Sequence, residues 1–162
     1  MALTELYLIR HGLAGTRQPA GDDERRPLTG AGVRRTRAVA RQLVRAGLRF
    51  DRLVTSPLAR ARQTAVILRD CGLARAVEES DHLRPGGNLR RCLESLAEAE
   101  GRAALVGHEP DLSTWAERLV WNAVRHRLVL KKAGVIGLGF PGEGSPLGRC
   151  QLFLLVPPRL LV

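Results

Sequence analysis

The sequence predicts an α/β protein: a three-layer α/β/α fold, a single domain over residues 1–162, with a mostly parallel sheet and room for an antiparallel edge strand late in the chain. Three observations predict it. Short runs of strand formers alternate with longer stretches whose apolar residues recur at helical spacing, the β-α-β-α order of a sheet covered on both faces. A length of 162 residues supports one full hydrophobic core and not comfortably two. No internal repeat, low-complexity tract or linker interrupts the alternation.

The elements follow in order. "ELYLI" is a short apolar run suited to a buried strand, and a polar loop extends from Leu13 to Pro27. "LTGAGVRRTRAVARQLVRAG" sets Val33, Ala40, Leu43 and Val44 on one helical face, with Gly47 as the stop. "RFDRLVTS" predicts a second strand. In "SPLARARQTAVILRDCG" Ser56 suits an N-cap, Pro57 the first helical position, and Gly72 the end. "ARAVEE" reads as a short third strand before the loop "SDHLRPGGN". Leu89, Cys92, Leu93 and Leu96 recur at i, i+3, i+4 and i+7, predicting a helix stopped by Gly101. "RAALVG" is the next strand, and "EPDLSTWAERLVW" a helix with Leu112, Trp115 and Leu119 on one face. "RLVLKKAGVIGLGF" and "CQLFLLV" read as strands around the Gly/Pro-rich turn "PGEGSPLG".

Composition narrows the class. The formal net charge is +10, and Lys131 and Lys132 are the only lysines among 26 basic residues. Such a balance suits nucleic acid, an anionic surface or phosphorylated substrates as partners. The arginines are scattered along the whole chain, however, which reads as a bias toward Arg, Ala, Gly and Leu and weakens nucleic-acid binding. Cys71, Cys92 and Cys150 are odd in number and far apart, forming neither a disulfide framework nor a metal-ligand spacing; Cys92 falls on an apolar helical stripe. The N-terminus lacks the pattern of a secretion signal, and "CQLFLLVPPRLLV" is too short and too broken by Pro157, Pro158 and Arg159 to span a bilayer. A cytoplasmic protein with no membrane association is expected.

In open α/β sheets, ligands bind beyond the carboxyl ends of the strands. Three predicted strands finish there in polar residues: Arg10-His11-Gly12, Ser56-Pro57 with Arg60 in the following helix, and Gly107-His108-Glu109-Pro110. Arginine's planar fork suits bidentate contact with phosphate oxygens. A helix N-terminus at Pro57 would add free N–H groups, and Gly12, lacking a Cβ, would let a ligand approach the backbone beside His11. A neutral imidazole flanked by guanidinium groups suits attack on phosphorus, the arginines lowering its pKa and neutralising the transferring group. Taken singly, each feature has a plain structural reading: a satisfied histidine, an ion-pair partner, a helix start. It is their expected meeting at one rim that points to a site. His82 and His126 lack such neighbours and read as solvent or packing residues, and "RHRLVLKK" as a solvated face.

"LIRHG", "RPLTGAG", "VTSPLARARQTA" and "ALVGHEPDLS", in that order, resemble the histidine phosphatase superfamily, which includes metal-independent phosphatases and phosphoglycerate mutases. The short length and "RPLTGAG" are most similar to its small branch, the SixA-type phosphohistidine phosphatases. The resemblance spans residues 5–120, and the tail "KKAGVIGLGF" also fits. It implies His11 as the nucleophile that becomes phosphorylated and His108 as the second histidine stabilising the transferring phosphoryl group. It further implies Arg10, Arg60 and Arg26 as phosphate ligands beside Gly12, with Arg25 competing with Arg26 for that part and Arg62 solvated. No metal and no cofactor is implied. Larger members carry an acidic proton donor after the third strand; here only Glu79 and Asp81 are near, and neither sits in a convincing motif. An alkoxide leaving group needs that acid and the imidazole of phosphohistidine depends on it less, so a phosphohistidine substrate is favoured. The expected partner is therefore a phosphorylated protein, such as a histidine-containing phosphotransfer domain. The alternatives are a phosphatase of small phosphorylated metabolites or nucleotides, and a non-catalytic module binding phosphate or nucleic acid. A mutase is disfavoured because the chain is too short for the insertions that close over a phosphoglycerate.

Overall fold

A computed structural model of the chain describes residues 2–162. Its centre is a six-stranded sheet in the order β3-β2-β4-β1-β5-β6. The strands are β1 (Leu3–Arg10), β2 (Arg52–Thr55), β3 (Glu78–Glu79), β4 (Gly101–Gly107), β5 (Val135–Gly139) and β6 (Gln151–Val156). β3, β2, β4 and β1 run parallel, while β5 is antiparallel to β1 and β6 to β5. The mostly parallel sheet and its late antiparallel part match the expectation.

β1 lies between β4 and β5, and Leu6, Tyr7, Leu8 and Ile9 are all buried, as a strand covered on both faces requires. Side-chain alternation divides the core. Leu6 and Leu8 join Ala103 and Leu105 of β4 on one face, and Tyr7 and Ile9 join Ala104 and Val106 on the other. The first face is covered by α3 (Leu89–Ser95) and α4 (Asp111–Trp121) through Leu89, Cys92, Leu112 and Trp115. The second is covered by α1 (Gly30–Arg45) and α2 (Ala59–Asp70) through Val39, Leu43, Ala61 and Leu68. Three layers result.

Local chemistry sets the helix that braces the site. Thr29 caps α1 by accepting the Gly32 N–H at 2.9 Å. A Cβ on Gly32 would lie 2.1 Å from the Leu13 carbonyl oxygen, and one on Gly12 would lie 2.3 Å from the Thr36 hydroxyl. The first turns of α1 therefore seat directly on the chain leaving β1, and only glycine at these two points allows it.

Three expectations need correction. α2 begins at Ala59, with Leu58 at the cap position, so Ser56 does not cap the helix as expected and Pro57 is not its first residue. Instead the Ser56 hydroxyl accepts the Leu58 N–H at 3.3 Å and turns its other side to His108. α3 ends at Ser95, and Gly101, with φ of 72°, opens β4 rather than stopping the helix. Residues 127–134 form no strand: the carboxylate of Glu117 gathers the backbone of Arg125 to Leu128 into a loop.

Candidate active site

Strand register brings the polar ends together. Arg10 pairs with Gly107 and Thr55 with Val106, so His11, Ser56 and His108 each lie one residue past the end of adjacent strands. The ladder continues through them: the His11 N–H donates to the Gly107 carbonyl at 3.1 Å, and the Ser56 N–H to that of Val106 at 3.0 Å. Both histidines are buried, and their ring centroids are 5.2 Å apart.

Each ring is oriented by one bond. His11 Nδ1 lies 2.7 Å from the carbonyl oxygen of Gly12. A carbonyl only accepts, so Nδ1 carries the proton and Nε2 keeps its lone pair free. Gly12 is fixed in turn, its N–H donating to the Thr64 hydroxyl at 3.0 Å while that hydroxyl donates to the Arg60 carbonyl at 2.8 Å. His108 Nε2 meets the Ser56 hydroxyl at 2.8 Å, leaving Nδ1 buried with no partner.

The electrostatics keep both rings neutral. Burial is the first reason that His11 falls from 6.5 to about 3; the Gly12 bond opposes it, and His108, Arg60 and Arg10 add to it. Burial also leads for His108, lowered to about 4, with Arg60 next. The arginines thus depress the His11 pKa as expected from sequence, but they are secondary to desolvation.

Arg60 is buried and reaches back to the loop after β1, donating from Nη1 to the Asp23 carbonyl at 2.8 Å and from Nη2 to its carboxylate at 3.2 Å. Arg26 joins the same carboxylate through Nε at 3.0 Å and the Gly15 carbonyl through Nη1 at 2.8 Å. Arg25 instead points outward, its side chain 88% exposed and 3.2 Å from Asp22, so of the two adjacent arginines Arg26 stands at the site. Arg10 donates from Nη1 to the Leu130 carbonyl at 3.0 Å. The Nε atoms of Arg10 and Arg60 are buried without a partner. Gly12 contributes through its carbonyl and through its packing on α1; the space its missing Cβ leaves is filled by Thr36 and Leu28, not open to a ligand.

The remaining sequence candidates lie elsewhere. Glu79 sits 3.5 Å from Arg62, and Asp81 bonds Arg84 at 2.9 Å, all on exposed side chains; Arg62 is solvated as expected. His82 and His126 are exposed and Cys92 is core. Among the described residues, no group of three His, Cys, Asp or Glu side chains is placed to hold a metal ion. No helix there is long and apolar enough to cross a membrane.

Sequence reasoning missed Asp23. Burial works upward on its carboxyl, but Arg60, Arg26 and Arg17 outweigh it and hold the group below its usual range. Its spacing of three residues from Arg26 hints at that contact, and nothing in the sequence announces Arg60. Glu109, placed at the rim by the sequence but given no role there, accepts the Ser113 N–H at 2.8 Å, and its charge supports Arg10.

A parallel sheet presenting two neutral histidines and three arginines at its carboxyl rim defines a class, an enzyme or receptor for phosphoryl groups on an α/β/α scaffold. Residues 6–90 match the histidine phosphatase superfamily (branch 1), and the chain belongs to that superfamily, which supports a phosphatase activity. An uncharacterized protein of Picosynechococcus sp. is 42% identical over 168 residues, covering 98% of this chain and 99% of that protein. The structure of the protein histidine phosphatase SixA complexed with tungstate superimposes with a TM-score of 0.80 at 21% identity, covering 98% of this chain and 99% of that one. A mycobacterial glucosyl-3-phosphoglycerate phosphatase superimposes with a TM-score of 0.74 at 20% identity, covering 93% and 97%. These two share the fold of the chain.

Proposed function

We propose that the protein is a phosphatase that works by double displacement through a phosphorylated His11, with a protein phosphohistidine as its substrate. The observation that carries the reading is the set of unsatisfied groups at the rim. Arg10 Nε, Arg60 Nε and His108 Nδ1 are buried without partners, beside the free Nε2 of His11. Buried polar groups of this kind are costly unless a ligand completes them, and a phosphoryl group supplies the acceptor oxygens.

In the first step the Nε2 lone pair of His11 forms the N–P bond while the bond from phosphorus to the leaving group breaks. Arg10, Arg26 and Arg60 take up charge on the phosphoryl oxygens, and His108 donates to them. The Gly12 carbonyl accepts the Nδ1 proton throughout, stabilising the positive ring that forms on phosphorylation. Water then attacks phosphorus, its protons stay with the released phosphate and solvent, and His11 leaves as neutral imidazole with Nδ1 still protonated.

A phosphohistidine substrate suits this site because its leaving ring, protonated on the other nitrogen, departs as neutral imidazole without a proton delivered to the reacting atom. Glu79 and Asp81, the acids that could serve an alkoxide, are exposed and engaged with Arg62 and Arg84. Small phosphorylated metabolites are the second reading, favoured by the fold shared with glucosyl-3-phosphoglycerate phosphatase.

The test combines trapping with a substrate panel. Radiolabelled phosphohistidine protein should leave an acid-labile phosphoenzyme on the wild type and none on His11→Ala. A label that persists on His11→Ala overturns the nucleophile, and faster turnover of sugar phosphates or nucleotides than of phosphohistidine protein overturns the substrate.

A further inference from the structure

Beside the rim, and sharing only Arg10 with the phosphate ligands proposed above, lies a groove of about 680 Å³. Its lining includes Arg10, Arg35, Lys131, Lys132 and Arg159. Both lysines of the chain are therefore here. Among the described residues none of these five cations has a carboxylate within 4.0 Å. Among the described residues other surface arginines also lack a carboxylate partner, while Arg52, Arg84 and Arg102 are paired with Glu78, Asp81 and Glu5. This groove differs in gathering five cations and no acid in one lining. Between the cations the groove offers apolar surface from Leu13, Val129 and Leu155, which are 41%, 62% and 39% exposed.

The groove is held open by the fold. Residues 129–132 follow the loop gripped by Glu117, and the Leu130 carbonyl accepts from Arg10. Leu13 packs on Gly32 at the start of α1, and Arg35 lies on the same helix. A phosphoryl group on His11 and a chain lying in the groove would thus share one wall.

We propose that this groove is a docking site for an acidic segment of the phosphorylated protein substrate, its carboxylates on the cations and its apolar side chains on Leu13, Val129 and Leu155. The inference rests on the phosphoprotein reading above. Charge complementarity selects the occupant: cations without acids attract and orient an anionic surface. Exposed single contacts are individually weak, so binding needs many at once from an extended partner rather than a small anion. The groove has no aromatic lining on which nucleic-acid bases would stack.

The test is the triple variant Arg35→Glu, Lys131→Glu, Arg159→Glu, none of which holds the phosphoryl group. Two substrates are compared, phosphoramidate and an acidic phosphotransfer domain phosphorylated on histidine. The variant should hydrolyse phosphoramidate as the wild type does while losing about 10- to 100-fold in kcat/KM on the acidic domain, chiefly through KM and with a weaker salt dependence. A parallel Arg35→Gln, Lys131→Gln, Arg159→Gln variant, expected to lose less, covers misfolding of the first. If the wild type turns over both substrates and the variants lose neither, the docking site is wrong and the phosphatase reading stands. Equal loss on both substrates also overturns it, because the charges would then act on phosphate binding alone. If the wild type hydrolyses phosphoramidate and no phosphohistidine protein, the substrate reading fails and takes the docking site with it. RNA or anionic-vesicle binding lost in the variants, with phosphoprotein turnover unchanged, would likewise overturn it.

Discussion

Two places in this molecule bury charge, and they treat it in opposite ways. At Glu117 the chain completes the charge itself. The carboxylate is buried on α4 and accepts the N–H groups of Arg125, His126, Arg127 and Leu128, the last three at 2.8, 2.6 and 2.9 Å. At the rim the chain stops short: Arg10, Arg60 and His108 each keep a buried nitrogen with no partner. Satisfaction at Glu117 holds a loop in place, whereas incompleteness at the rim is what the proposed phosphoryl ligand would complete. On the proposed reading the same physical principle separates a carboxylate that anchors structure from guanidinium groups that bind a ligand, and substitutions test that separation.

Arg60→Ala should show the largest effect. Losing one preorganised donor to a developing charge lowers kcat/KM by about 10²–10³-fold. Inorganic phosphate, which should raise the thermal midpoint of the wild type, should no longer do so. Stability without phosphate should fall modestly, because Asp23 loses its bonds from Arg60 but keeps the one from Arg26. A variant that unfolds while its surviving fraction keeps full activity would place Arg60 with Glu117 and erase the contrast.

Glu117→Gln should do the reverse. An amide of the same size turns an NH₂ toward N–H donors, so the variant should lose about 2–3 kcal/mol in urea denaturation. Activity of the folded fraction should fall only severalfold, through the loop that carries the Leu130 acceptor of Arg10. The loss depends on pH. Burial alone would raise this carboxyl, but the four backbone donors bring it from 4.5 to about 2. Its stabilisation is therefore complete above pH 4.5 and fades as pH falls toward 2, where wild type and variant should converge. Equal stability of the two proteins at neutral pH would contradict the role of Glu117 as the loop's anchor.

The unequal legibility of the two regions follows from how each is encoded. His11, Arg10 and His108 were readable because each follows a recognisable strand, and parallel neighbours align their carboxyl ends. Arg26 was readable only through resemblance, and its choice over Arg25 needed the actual path of the loop. Asp23 and Glu117 were invisible because their partners are backbone groups and distant side chains that no periodicity marks. Ser56 was legible as a polar residue at the right place, yet it accepts the Leu58 N–H and holds His108 instead of capping α2. Strand patterns survive translation into structure because burial enforces them, whereas the loop between β1 and α1 is set by contacts made only after folding.

The smallest effect tests the rim from the other side. A histidine buried as neutral imidazole contributes stability above its unfolded pKa of 6.5, and that contribution is lost as pH falls through its folded value. For His11 and His108 those values are about 3 and about 4, so the free protein should weaken progressively between pH 6.5 and 4. Replacing His108 with Asn should remove its share of that slope, about 1.4 kcal/mol per pH unit between its two pKa values. An anion in the clamp should oppose the trend. Negative charge beside His108 favours the imidazolium, so binding of sulfate, which has no titrating proton of its own at pH 5, should take up protons at that pH, measurable by calorimetry in buffers of different ionisation enthalpy. Proton release instead of uptake would mean that the anion binds away from His108. The unpartnered Nδ1 would then be a defect in packing rather than a place kept for the phosphoryl group.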